Sequence, residues 1–497
     1  MLALLLGLAG PVEAATQAAI DRVHRIDPQI HAVIALDPSA IAQAQALDGG
    51  KGRTLPLGGL PILLKDNIEA KGVLPTTAGS MALAANVTDR DAPLVARLRA
   101  SGAVILGKAN LSEWANMRSG GSISGWSAIG GQTRNPYALD RNTCGSSSGS
   151  ATAVAAGIVD GAIGTETDGS ISCPASINGV VGLKPTVGLV SRTHIVPISH
   201  SQDTAGPIAK DVATAARLLT AIAGSDPADP ASAQADAHKA DYGHALRTDA
   251  LKGARIGVMR FVSFGPEPVK ALFEKALAVL RAQGAILIDV AAPKDRDRIG
   301  EAELRVLLTE FKVDLNAYLA STPATVKTRT LADLIAFDRA HADRELALFG
   351  QDLLEKAEAT RGLDDPAYKA ARALSLWLAG KDGIDAMLAS ADLVALIAPT
   401  MPPAWKIDAV NGDQGGGSGA GDLAAVAGYP HLTVPMGDVR GLPVGLSFIG
   451  PAWSEARLLG LGYAYEQAAA IHLRPSFAPS IEEGTALAPL LAPLASR

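Results

Sequence analysis

Cysteine is nearly absent from this chain: two residues, Cys144 and Cys173, among 497. Two cysteines cannot supply a disulfide framework in any compartment, so a core must hold the fold. Both read as small, buried side chains. Basic clusters are missing too. The formal net charge is −6, and without grouped Lys/Arg no surface attracts a phosphate backbone, which excludes nucleic acid as a partner. No His/Cys/carboxylate spacing suggests a metal centre, and no cofactor is expected. After the first residues no stretch reaches bilayer length without a charge or a glycine, so no membrane partner is expected.

Hydrophobic residues make up 48% and charged residues 19%, the composition of a globular protein. The length suits one large domain or two to three average ones. Met1–Gly10 is apolar, and Val12-Glu13-Ala14 fits a small-x-small cleavage pattern with the cut after Ala14. The segment is too short to span a bilayer and lacks a basic flank. Residues 1–14 therefore read as a signal-peptide remnant, which favours a periplasmic or secreted location over a cytoplasmic one. The folded domain is expected over 15–490.

Several stretches share one grammar. Ala92–Ala100 carries Leu94, Val95 and Leu98 on one helical face, Gly102 ends it, and Ala103–Leu106 reads as a strand. Ala271–Val290 repeats helix, glycine and strand. Leu55–Ile68 reads as a turn and a buried strand ending at Lys65. Such alternation predicts an α/β fold, a central mixed β-sheet with helices on both faces. Strand signals at 393–397, 432–434 and 447–449 make one interwoven domain the better reading than two. Residues 296–390 are charged and helix-periodic, a helical cap or insertion, and 411–421 is glycine-rich, a flexible loop by composition.

The chemistry concentrates in three places. Lys65 follows the apolar run Leu60-Pro-Ile-Leu-Leu64, and burial is what holds a lysine neutral enough to take a proton. Ser146 and Ser170 lie in Cys144-Gly-Ser-Ser-Ser-Gly-Ser150 and Gly164-Thr-Glu-Thr-Asp-Gly-Ser170, stretches of small residues. A hydroxyl becomes a nucleophile only when something removes its proton. One lysine and two serines therefore read as base, relay and nucleophile, with no histidine required; His194 and His200 read as structural. The turn Thr167-Asp168-Gly169-Ser170 can gather successive N–H groups around an oxyanion. A competing motif, Gly145-Ser-Ser-Ser-Gly149, matches the nucleophile elbow with Ser147 at its centre. That elbow needs a strand directly before it, and Asn135–Thr143 is loop-like.

These segments resemble the amidase signature family. The lysine context is matched by Pro61-Ile-Leu-Leu-Lys-Asp66, and further ordered blocks include Gly102–Trp114, Gly179–Thr186, Ala398-Pro-Thr400, Ala427–Pro430 and Gly441–Gly445. The resemblance implies the family's fold and a serine hydrolase that cleaves carboxamide C–N bonds and releases ammonia. It implies Ser170 as nucleophile, Ser146 as a relay held in a cis peptide, and Lys65 as base. Thr167, Asp168, Gly169 and Ser170 would form the oxyanion hole through their N–H groups, with Ser147 and Thr165 in support. Asn116, Trp126 and Asp168 are the expected substrate contacts, and Gln202–Gly206 is expected to back the nucleophile turn. Two departures point to the bacterial peptide amidase branch, which removes the C-terminal amide of peptides: Asp168 stands for a usual glycine, and Ser172 for a usual arginine. The expected partner is a small peptide amide, with the chain a monomer or homodimer. A general acylamide amidase and the A-type subunit of a glutamine amidotransferase are the alternatives.

Overall fold

The computed structural model describes residues 9–50, 52–262, 266–415, 419–484 and 487–491. Met1–Leu8 of the expected leader lie outside the described residues. Pro11–Ala14, expected to precede the domain, form the first turn of the helix Pro11–Ile30. The Asp48 carboxylate accepts from the Val12 and Glu13 N–H groups at 2.9–3.2 Å, satisfying donors a helix start leaves free.

The strands are β1 (Val33–Leu36), β2 (Pro61–Lys65), β3 (Val104–Ala109), β4 (Trp126–Ser127), β5 (Gly131–Gln132), β6 (Gly161–Glu166), β7 (Val181–Lys184), β8 (Thr204–Ala209), β9 (Arg255–Val258), β10 (Ile286–Asp289), β11 (Ala395–Pro399), β12 (His431–Val439) and β13 (Leu442–Ile449). β4 and β5 form a ribbon of their own; the other eleven form one sheet in the order β1-β3-β2-β6-β8-β7-β12-β13-β11-β9-β10. The sheet is mixed. β3, β2 and β6 run parallel, and β6 is antiparallel to β8. Period-two alternation sends side chains to two cores. Ile62 and Leu64 join one apolar cluster, while Leu63 joins another with Val104 and Leu106. A strand buried on both faces reads as an unbroken apolar run, which is what Pro61–Leu64 is.

Helices from Ile299–Ser321 to Ala386–Ala389 fill the expected helical region. They dock through Phe311, Leu315 and Leu334 onto Leu83 and Trp114. A buried ion cluster pins the same junction. Arg118 meets Glu113 at 2.5 Å and Glu345 at 3.6 Å, with all three side chains 0% exposed, and its guanidinium lies 3.9 Å from the Phe349 ring centroid.

The cysteines depart from the sequence reading. Both are buried, but Cys144 and Cys173 are bonded to each other across 29 positions, with Cα atoms 6.0 Å apart. A chain too poor in cysteine for a framework can still carry one staple, and tertiary proximity of the two serine segments supplies it.

Arg118→Ala leaves two carboxylates buried without their cation, which typically costs about 3–5 kcal/mol. Urea unfolding is expected to show that loss, and a variant within about 1 kcal/mol of the parent would contradict a pinning role.

Candidate active site

β2 delivers Lys65 to the end of the sheet with no route to water: the side chain is 0% exposed. Its Nζ lies 2.7 Å from Ser146 Oγ, 2.7 Å from Thr165 Oγ1 and 3.2 Å from the Thr165 carbonyl. Asn67 Nδ2 donates to the same Thr165 hydroxyl at 3.0 Å. Burial lowers the Lys65 amine to about 7, against the opposing pull of Asp203 and Glu166. Asp66, the next residue, is engaged elsewhere. It pairs with Lys108 at 3.4 Å, and Lys108 also donates to the Ile68 carbonyl at 2.6 Å.

Ser146 follows a cis peptide bond from Gly145. A Cβ on Gly145 would stand 2.1 Å from Ser112 Oγ, so only glycine fits. Ser147 begins the buried helix Ser148–Ala155. Its hydroxyl donates to the Thr165 carbonyl at 3.0 Å and accepts from the Thr165 N–H at 3.2 Å. Its own N–H donates to the Ser170 carbonyl at 3.1 Å. Ser147 therefore clamps β6 and the Ser170 segment, and no strand directly precedes it to make an elbow.

The turn after β6 divides its donors. The Glu166 carboxylate takes the N–H groups of Ile171 at 2.7 Å and Ser172 at 2.8 Å. Among the described residues, the N–H groups of Thr167, Asp168, Gly169 and Ser170 have no protein acceptor, and the Ser170 hydroxyl has no partner. Gly169 has φ +78°, the left-handed region that glycine enters freely. Four unclaimed donors beside a free hydroxyl are what an oxyanion needs.

Carboxylates surround the turn at one remove. Asp203 accepts from the Thr167 hydroxyl at 2.5 Å and from the Ile198 and Ser199 N–H groups, and burial raises it to about 6. Gln202 Nε2 donates to Glu303 at 2.8 Å and to the Thr167 carbonyl at 3.4 Å. Gln202 and Asp203 thus back the turn. Burial raises Glu303 to about 7. Enclosure and then Glu303, Asp422 and Glu166 push Asp168 up as well, although its carboxylate keeps contact with solvent, which screens part of that repulsion. A cavity of about 340 Å³ adjoins Asn67, Thr165, Thr167 and Ala115, with Ile195–Ile198 as an apolar wall.

Three comparisons bear on this geometry. The family model described as Amidase matches residues 14–459. The chain belongs to the amidase signature family. A solved peptide amidase from Stenotrophomonas maltophilia is 52% identical, with 94% of this chain and 95% of that one covered, at a TM-score of 0.87. A probable amidase of Arabidopsis thaliana is 41% identical, covering 92% of this chain and 87% of that one. The A-type subunit of the glutamyl-tRNA(Gln) amidotransferase of Moorella thermoacetica is 37% identical, covering 93% and 94%. This chain is an amide-hydrolysing enzyme.

Other expected residues of the amidase fall in different places. Asn116 lies beside Gly145, with Nδ2 3.2 Å from Ser124 Oγ and a buried Oδ1 that has no partner. Trp126 packs inward. It is buried, edge-on to Phe349 with ring centroids 5.3 Å apart and 5.1 Å from the Arg118 guanidinium. Trp114 is buried likewise. His200 has an aspartate the sequence did not reveal, Asp314, at 2.9 Å. With Glu310 these form the one grouping of metal-ligating type among the described residues. Glu310 is already engaged by Ser199, Ser201 and Tyr368. Asn67 and Glu166 escaped the sequence reading, though Asn67 lies two residues from Lys65 and Glu166 directly between Thr165 and Thr167.

Thr165→Val removes a neutral acceptor from Lys65 Nζ, which favours the unprotonated amine still more. The acid limb of the kcat/KM profile is expected to move to lower pH, with kcat down roughly 10- to 100-fold through lost positioning. An unmoved limb would show that Thr165 does not set the state of the amine.

Proposed function

We propose that this amidase removes the C-terminal carboxamide of small peptides as ammonia, through a Ser170–Ser146–Lys65 relay and an acyl-enzyme. The observation that carries the mechanism is the fully buried Lys65 amine 2.7 Å from Ser146 Oγ. A neutral amine has two N–H groups and one lone pair. The Thr165 carbonyl can only accept, and the Thr165 hydroxyl can accept the other N–H, which leaves the lone pair for the Ser146 proton. Ser146 in turn takes the proton of Ser170 as Oγ attacks the amide carbonyl. The oxyanion is held by the N–H groups of Thr167 to Ser170, each such donor typically supporting about 3 kcal/mol of barrier reduction. The relay then returns a proton to departing ammonia, and water repeats the path on the ester.

Three things support the peptide reading over its alternatives. The 52%-identical neighbour is a peptide amidase. Ser172 stands where the family resemblance leads one to expect arginine, and its N–H is held by Glu166. The adjoining cavity of about 340 Å³ is of the size that takes a small ligand. Likeness to the amidotransferase component keeps glutamine as the alternative substrate. Ammonia release is therefore compared for dipeptide amides, glutamine and long-chain acylamides; release from glutamine alone would defeat the proposal. We also infer export to an oxidising compartment, supported by the single disulfide.

The relay needs neutral Lys65, so kcat/KM is expected to rise with pH through about 7, the value to which burial lowers that amine. The sign for stability is the same. Between about 7 and 10.5 the unfolded chain binds the proton that the folded one has lost, so stability rises with pH across that window. The burial cost is fully present below it. Lys65→Met removes both effects: turnover falls roughly 10⁴-fold or more, while Tm below neutral pH holds or increases. Near-parent activity in a folded Lys65→Met would rule out lysine as the base.

A further inference from the structure

The Cys144–Cys173 disulfide ties together the two segments that carry the serines. Cys144 stands two residues before Ser146, and Cys173 three residues after Ser170. The ring it closes contains the helix Ser148–Ala155, β6 and the Thr167–Ser170 turn. Cys144 has φ +55°, the left-handed region that a side chain enters at a cost, immediately before Gly145. Something must hold it there. Its N–H donates to Asn142 Oδ1 at 2.7 Å, and its carbonyl accepts from Ser148 Oγ at 2.6 Å.

Non-covalent ties hold the same segments together mainly at β6, where the Ser147 hydroxyl bonds the Thr165 N–H and carbonyl and Lys65 Nζ joins Ser146 to Thr165; nearer Ser170 and the cysteines they are fewer. The Ser147 N–H meets the Ser170 carbonyl at 3.1 Å, and Asn178 Nδ2 bridges the carbonyls of Thr143 and Pro174 at 3.1 and 2.8 Å. Ser146 is tied to Lys65 and the Ser170 hydroxyl has no partner, so no side-chain hydrogen bond sets the distance between the two hydroxyls. The sulfurs lie in a small apolar cluster with Tyr137, Ile177, Met401 and Leu442. That cluster is separate from the two large cores.

We propose that the disulfide is a positioning element of the amidase site: it fixes Ser146 relative to Ser170, so the oxidised enzyme is the competent one. This rests on the reading of these serines as relay and nucleophile. A dithiol would undo the tether by reducing it. The S–S bond breaks, each sulfur gains an electron and a proton, and the dithiol closes to its cyclic disulfide. In an oxidising compartment the tether persists; a chain kept among reduced thiols would hold a slack site.

The test compares three samples of the full chain: oxidised enzyme, enzyme reduced with dithiothreitol, and the double variant Cys144→Ala/Cys173→Ala. The double variant covers the case of a bond too shielded to be reduced. Thiol titration under denaturant fixes the redox state, and circular dichroism fixes the folded fraction. Two rates are read across a pH series: ammonia release from a dipeptide amide, and covalent labelling of Ser170 by phenylmethanesulfonyl fluoride.

Per folded molecule, kcat and the labelling rate are expected to fall together by roughly 10- to 100-fold on loss of the bond, with KM within about twofold of the parent. The double variant should match the reduced enzyme and ignore the dithiol. Unchanged kcat and labelling in the folded double variant would overturn the proposal, as would a loss that only follows unfolding. If oxidised enzyme releases no ammonia yet labels in a disulfide-dependent way, the substrate reading fails and the tether stands.

Discussion

The Lys65 amine sits where β2, β6 and the segment before the helix Ser148–Ala155 converge, and its three contacts are all oxygens of neutral groups. A charged ammonium deprived of water needs a carboxylate close by, and none touches this one. Asp66, adjacent in the chain, is held by Lys108. Asp203 and Glu166 act only through space. Burial therefore wins, and the amine is lowered to about 7, which suits the base role proposed for it. The surrounding architecture follows from keeping water out: an apolar strand on each side, a helix of small residues, and glycines where backbones meet. Gly149 illustrates the last point, since a Cβ there would stand 2.2 Å from the Ala32 carbonyl.

Negative charge is distributed to organise the Thr167–Ser170 turn without a carboxylate touching the Lys65 amine. Glu166 claims the two N–H groups after Ser170 and so leaves the four from Thr167 to Ser170 unclaimed. Lys184, itself buried and lowered to about 8 by that burial, supplies opposite charge near Glu166. Asp203 holds the Thr167 hydroxyl and the 198–199 backbone at once, which couples the turn to the wall of the adjoining cavity. Glu303, raised by burial and by Asp422, repels the exposed Asp168 carboxylate of the turn from the helical part. The helical part is fastened at its junction by the buried Arg118 cluster.

Much of this was legible in the chain. Helix 93–100 and strand 104–109 fall where Leu94, Val95, Leu98 and Gly102 placed them, because local periodicity reflects burial directly. β2 ends at Lys65 as its apolar leader implied. The loop before Ser147 denied the elbow motif its strand, and the structure has none there. Less visible were pairings that depend on distance in the chain. Cys144 and Cys173 read as two thiols because nothing in a spacing of 29 says that the ends meet. The partners of Trp126, Arg118 and Phe349, lie at a distance in the chain that no local pattern reports. His200 showed no acid partner because Asp314 is 114 residues away.

Residue types and local order by themselves determined the alternation of strands and helices, the family, and the presence of one buried lysine and two serines in small-residue turns. Those properties are written in composition over a few consecutive residues, where sterics and burial act locally. Tertiary structure alone decided which oxygens surround the amine, which N–H groups remain unclaimed, and that the two serine segments share a covalent bond. Each depends on contacts between parts of the chain far apart in sequence, and such contacts exist only once the sheet order β3-β2-β6-β8 is assembled.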